Sequence, residues 1–168
     1  ESAKLAGIFT LIEVAGLLLV VFVGRASLVQ VDIGKLLTID PAVGLSGLIG
    51  GTFLAFYAFI GFEDMVNIAE ETKNPQRTMP LAILISLLVS TVLYLLVAIV
   101  AITAVTPAEL ASSKAPLSLV YSQASGGSAL FLTIIGISAA VNGVIVQIIM
   151  GSRILYGLSR SGWLDKHL

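Results

Sequence analysis

Residues Phe56 to Pro80 read FYAFIGFEDMVNIAEETKNPQRTMP. An apolar run enters this stretch, meets Gly61, and turns acidic at Glu63 and Asp64 at a depth that belongs to hydrocarbon. Hydrocarbon offers no partner to released backbone groups or to carboxylates, so a break placed there needs a purpose. From Gly47 to Phe62 the apolar part supplies about 24 Å of helix, short of the ~30 Å of a bilayer core, and only a polar continuation through Ala69 completes a crossing. A short, glycine-interrupted hydrophobic segment of this kind marks a discontinuous membrane helix.

The surrounding chain sets the same scene. Of its 168 residues 57% are hydrophobic and 11% charged, with a mean hydropathy of +1.04. Such a chain dissolves in lipid, and the expected fold class is all-α, a polytopic membrane helix bundle. A formal net charge of −1 carries no signal for nucleic acid, and the absence of Cys leaves the redox compartment unread. Leu5 to Gly24, Leu81 to Val105 and Ser128 to Ser152 are the other apolar runs. The expected spans are therefore 5–24, 47–69 broken near 59–63, 81–105 and 128–152. Four crossings put both ends on one side. Lys4, Lys73, Arg77, Arg153, Arg160 and Lys166 share that side against Arg25, Lys35 and Lys114, which makes it cytoplasmic. Asn74-Pro75 marks a turn, and Pro80 is expected in the first turn of the third span. Between the last two spans, Leu110, Leu117, Val120 and Tyr121 recur at near-helical spacing, so about 107–123 reads as a short amphipathic external segment, either a lid or a packed loop. The chain opens on Glu1 and closes within a basic segment, and reads as an excerpt of something longer.

At the break, the carbonyl end of the outer half-helix attracts an ammonium group and the amide end of the inner half attracts a carboxylate, so the two ends together suit a zwitterion. Glu63 reads either as a cap of the inner half or as a proton-titrating gate, and Asp64 as a cap. Glu13 is the only charge in the first span, where a short side chain reaches neither interface and must face protein or water; it reads as a coupling carboxylate or as a structural one bonded to a neighbouring helix. In the last span Gly136, Ala140, Gly143, Gln147 and Gly151 form a small-residue stripe suited to close helix packing. Ser138 and Asn142 occupy another face, fit to bond across helices or to line a polar cavity. His167 is alone, and neither HExxH nor a glycine-rich phosphate loop occurs, so no metal, nucleotide or other cofactor is expected.

Two ordered motifs carry a resemblance. Phe56-Tyr57-Ala58-Phe59-Ile60-Gly61-Phe62-Glu63, followed by Ala69-Glu70-Glu71 and Lys73-Asn74-Pro75-Gln76-Arg77 with Pro80, is similar to the sixth helix and following loop of amino acid permeases of the amino acid, polyamine and organocation superfamily. Ser152-Arg153-Ile154-Leu155-Tyr156-Gly157-Leu158-Ser159-Arg160 with Gly162 resembles the end of that family's eighth helix. The resemblance covers essentially the whole chain. It implies about helices five to eight of a transporter built on two inverted five-helix repeats, with a discontinuous second helix in this excerpt. It further implies that Phe59, Ile60 and Gly61 line the substrate, that Tyr57 closes over it, and that Gln147 falls near the pocket. Glu63 matches a position linked to proton sensing. Glu13 stands where several proton-coupled relatives carry a Lys, so the charge is reversed and the coupling ion is left open, protons ranking ahead of sodium. At the chain end Ser161 and Asp165 depart from the family pattern without disturbing it. The expected activity is secondary transport of an amino acid or related amine across the plasma membrane by proton symport or exchange, with no enzymatic step. The partners implied are the substrate, protons, the lipid bilayer and the remaining helices of the full-length permease, and no nucleic acid. A non-transporting four-helix assembly or sensor subunit is the alternative, separated from the first reading by whether helical hydrogen bonding runs unbroken through Phe59 to Glu63. A membrane hydrolase using Glu63 and Asp64 ranks third, because adjacent helical residues point about 100° apart.

Overall fold

A computed structural model describes residues 2–29, 31–39, 41, 43–61, 69 and 72–163 of the chain. Glu63 and Asp64, the stretch 62–68 of the broken span, Glu70, Glu71, and Asp165, Lys166 and His167 at the chain end lie outside the described residues. The described residues form eight helices: α1 (Ser2–Val23), α2 (Arg25–Val29), α3 (Ile33–Leu36), α4 (Gly44–Tyr57), α5 (Pro75–Ala104), α6 (Pro107–Ser112), α7 (Pro116–Ser125) and α8 (Leu130–Arg160). The expected all-α polytopic bundle is what the chain forms. Leu5–Val23, Pro75–Ala104 and Leu130–Arg160 are long and apolar enough to cross a membrane, whereas α4 has 14 residues and spans about 21 Å.

Proline chemistry fixes two boundaries differently from the sequence reading. α5 begins at Pro75, six residues before the expected start, so Pro80 lies inside the helix and not in its first turn. Asn74 takes a left-handed conformation (φ 52°), and its carbonyl accepts from the N–H groups of Arg77 and Thr78, both at 3.0 Å. The Thr78 hydroxyl donates to the Lys73 carbonyl at 2.9 Å. Pro75 needs no N–H partner at the first helical position and brings a helical φ with it, so the helix starts there. The external segment likewise divides in two, because Ala115 precedes Pro116 and is pushed out of the helical region (φ −142°, ψ 71°).

Helices α1, α5, α7 and α8 pack around Val20, Val100, Val105, Val120 and Leu132. Val20 and Val100 lie late in their helices and Leu132 lies early in its own, so α8 runs antiparallel to α1 and α5. The register continues along α1: Gly16 faces Ile135, and Glu13 faces Asn142. α7 inserts Val120 fully into this core and sets Tyr121 edge-on against Phe131 at 5.0 Å, so at this face the segment between α5 and α8 is packed. The rest of the apolar surface, including Leu11, Leu84, Leu88, Ile134 and Val144, points outward, as lipid-facing surface does.

The α1–α5 contact closes on a glycine. A Cβ at Gly24 would overlap Val100 Cγ1, and Val100 is fully buried. Gly24→Ala is expected to destabilise the full-length protein by about 1–3 kcal/mol through overpacking, read as a lowered thermal unfolding midpoint in detergent. An unchanged midpoint would show that α1 and α5 separate there freely.

Outside the long helices, Thr106 and Glu109 form a reciprocal cap on α6. The Glu109 carboxylate accepts from the Thr106 hydroxyl at 2.6 Å and from its N–H at 3.1 Å, and the Glu109 N–H donates to that hydroxyl at 3.4 Å. The hydroxyl bond first and the backbone bond second hold the Glu109 carboxyl below the usual carboxylate range. Because the folded value is the lower one, this stabilisation is complete above the ordinary glutamate value of about 4.3 and is lost as pH falls through the folded value. Protection of the Glu109 and Leu110 amides against exchange is expected to fall as the pH drops below the ordinary glutamate range, and protection that stays constant there would count against the cap.

Candidate functional site

α4 stops at Tyr57 by tightening and then turning. The N–H of Ala58 bonds to the carbonyl of Ala55 at 3.0 Å, that of Phe59 to Phe56 at 3.0 Å, and that of Ile60 to Tyr57 at 3.3 Å. These are the short bonds of a helix end rather than helical continuation. Gly61 then takes φ 119°, and among the described residues no atom lies within 4 Å of where its Cβ would stand. Glycine is thus required here by the backbone angle and not by crowding.

At this helix end α5 supplies a donor to the carbonyl of Ala58. Tyr94 Oη donates to it at 3.0 Å, across 36 residues of sequence. The Phe59 ring meets the Tyr94 ring edge-on at 5.3 Å and 71°. Between turn and helix lies a cavity of about 200 Å³ lined by Ala58, Phe59, Ile60 and Gly61 on one side and Ser86, Leu87, Ser90 and Tyr94 on the other. Main-chain groups of the broken helix and three hydroxyls of α5 therefore share one small space.

The expected site residues divide. Phe59, Ile60 and Gly61 come together on the cavity wall. Tyr57 does not join them: its ring is exposed and sits edge-on against Phe53 at 5.2 Å, one turn back along α4. Gln147 is exposed on α8 and Ser138 donates to the carbonyl of Ile134 at 3.0 Å, both away from this cavity. Glu63 lies outside the described residues. Ser86, Ser90 and Tyr94 were not singled out by the sequence reading, although their spacing of four residues marks one polar face on an otherwise apolar span.

A second polar contact joins α1 to α8. Asn142, only 7% exposed, donates from Nδ2 to Glu13 Oε1 at 3.0 Å, while its Oδ1 is buried without a partner among the described residues. Glu13 and Asn142 are thus one unit. On either side of Glu13 along α1, Gly16 is buried against Ile135, whereas Thr10 is exposed and bonds back to the carbonyl of Ala6 at 3.0 Å. Among the described residues, a Cβ at Gly136, Gly143 or Gly151 meets nothing within 4 Å, so the small-residue stripe on α8 is not the face that packs against α1. α8 packs through Leu132, Ile135 and Asn142, a face turned about 100° from that stripe. Among the described residues no three His, Cys, Asp or Glu side chains gather to hold a metal ion.

Comparison with known proteins fits this architecture. The chain is 36% identical over 123 residues to the branched-chain amino acid permease BcaP of Bacillus subtilis, which covers 71% of this chain and 26% of that protein. It is 32% identical over 168 residues to the chloroplastic cationic amino acid transporter 9 of Arabidopsis thaliana, covering 98% of this chain and 28% of that one. It is also 33% identical over 98 residues to the methylthioribose transporter of Bacillus subtilis, covering 58% and 20%. The chain spans about a quarter of the length of the curated relatives it matches. No solved structure matches it. The permease relatives and the apolar helices make it a multi-pass membrane protein. With residues 2–167 matching the family's pattern, the chain belongs to the amino acid permease family.

Proposed function

We propose that this chain is part of a secondary transporter that carries amino acids or related amines across the plasma membrane by alternating access, in symport with protons or by exchange. The observation that carries this reading is the end of α4 at Tyr57 followed by the Gly61 turn, which opens backbone groups onto a cavity instead of burying them in a continuous helix. Backbone off its helix at membrane depth is tolerated where it lines such a space. The carbonyl end of α4 suits an ammonium group, and the relatives' names, branched-chain amino acid permease and cationic amino acid transporter, supply the substrate class.

Within this reading Phe59, Ile60 and Gly61 line the substrate and Tyr57 closes over it from the end of α4. Gln147 faces the pocket from α8 in the complete protein, and Ser138 is a secondary polar group of the same helix. Glu13 and Glu63 exchange the coupling protons. Asn142 is suited to accompany Glu13 through that exchange, because a carboxamide donates to a carboxylate with its NH₂ and, turned over, accepts from a carboxylic acid with its oxygen. Both ends of the segment lie in the cytoplasm, by the excess of basic residues there. No bond is made or broken.

The alternative of a non-transporting assembly draws on the Glu13–Asn142 bond, which holds two helices together. It demands a continuous second helix, and the helix ending at Tyr57 weighs against it. The test is uptake of a panel of branched-chain, cationic and other amino acids and amines into liposomes bearing the full-length protein, with and without a proton gradient. Uptake above that of empty liposomes supports transport, and its absence across the panel overturns it.

A further inference from the structure

The α5 side of the cavity has no part in the reading above, and three observations converge on it. Tyr94 touches the broken turn twice, through the hydroxyl bond to the Ala58 carbonyl and through the edge of Phe59. Ser90 and Ser86 lie on the same face, one and two turns back along the helix, and both line the cavity. Finally, Thr91 and Thr103 on this helix bond back to the carbonyls of Leu87 and Ile99, both at 2.7 Å, as helical hydroxyls in an apolar setting do. Among the described residues, Ser86 and Ser90 make no such bond, so their hydroxyls stay available to whatever occupies the cavity.

We propose that the Ser86, Ser90 and Tyr94 face of α5 is a further wall of the binding site, with Tyr94 a positioning residue for the broken turn and the two serines polar contacts for an amino acid or amine. The proposal rests on the transport reading for its second half and on geometry alone for its first. The Ala58 carbonyl lies just past the last residue of α4, where the backbone bonds have tightened to three-residue spacing, and it accepts from the Tyr94 hydroxyl. The phenol satisfies it and thereby fixes which way the next peptide units face. The ring contact holds Phe59 on the same side, so the turn presents one arrangement to the cavity instead of several. A serine hydroxyl, able to donate or accept, contributes to an ammonium or to a polar substrate atom without introducing a charge at this depth.

Two measurements on the full-length protein separate the halves. The first uses a single cysteine at Ile60 in an otherwise cysteine-free background, labelled with a maleimide in the absence of any substrate. Tyr94→Phe keeps the ring and removes the hydroxyl, and is expected to raise the labelling rate about fivefold, the worth of one neutral hydrogen bond. Equal rates overturn the positioning role whether or not the protein transports anything. The second is the kinetics of uptake. Tyr94→Phe and the double variant Ser86→Ala with Ser90→Ala are each expected to raise KM about fivefold with the maximal rate little changed. An unchanged KM in the double variant overturns the serine contacts, and a fall in maximal rate at constant KM overturns them too. Failure of the unaltered protein to take up any of the panel defeats the transport reading and the serine contacts with it, and leaves the labelling result standing by itself.

Discussion

Gly61→Ala in the full-length protein is expected to lower amino acid uptake at least about tenfold, the largest loss from any single methyl group in this segment. The residue sits at φ 119°, where a side chain is strained, and among the described residues nothing lies within 4 Å of the added carbon. The penalty is therefore purely one of backbone conformation, about 1–3 kcal/mol, with no packing clash mixed into it. The chain escapes by swinging Gly61 back to negative φ, which redirects the peptides from Ala58 onward and loosens the turn from Tyr94. Uptake and thermal stability measured together decide the matter. Wild-type uptake with an unchanged unfolding midpoint would mean that the turn carries neither strain nor function.

Glu13→Gln should abolish uptake driven by a pH gradient while leaving substrate binding or exchange measurable. Glutamine keeps the length of the side chain and an oxygen to accept from Asn142 Nδ2, so the α1–α8 contact survives. What it loses is the ability to take up and release a proton. Glu13→Leu is the control for the structural role: it strands the Asn142 amide, already 7% exposed with an oxygen that has no partner among the described residues, and is expected to destabilise the protein by about 1–3 kcal/mol. Accumulation unchanged in Glu13→Gln would remove Glu13 from proton coupling and leave it a purely structural group.

The sequence made the break legible because a glycine and two carboxylates inside an apolar run violate the rules of hydrocarbon, and violations are visible residue by residue. It made Glu13 and Asn142 legible as costly groups in the same way. Their pairing was not legible, since it depends on the register between α1 and α8, which no periodicity within either helix sets. The neighbour of the Gly136, Gly143 and Gly151 stripe was not legible for a related reason: small residues state that a helix can be approached closely, and not which neighbour approaches. Ser86, Ser90 and Tyr94 stayed hidden because an uncharged span looks uniform when only charges are weighed, and hydroxyls usually vanish into back-bonds of their own helix. The start of α5 turned on a choice between two prolines, and the turn around Asn74 decided for Pro75.

The length of α5 carries a consequence of its own. At 30 residues the helix extends about 45 Å, well beyond the ~30 Å of hydrocarbon, so it must lean or protrude. A thicker bilayer lets it stand more upright and a thinner one lays it over. Tyr94 rides on that helix and grips the turn at Ala58, so a change of lean pulls on the broken backbone. The thickness of the surrounding lipid is thereby a mechanical input to the site, applied through a single phenol.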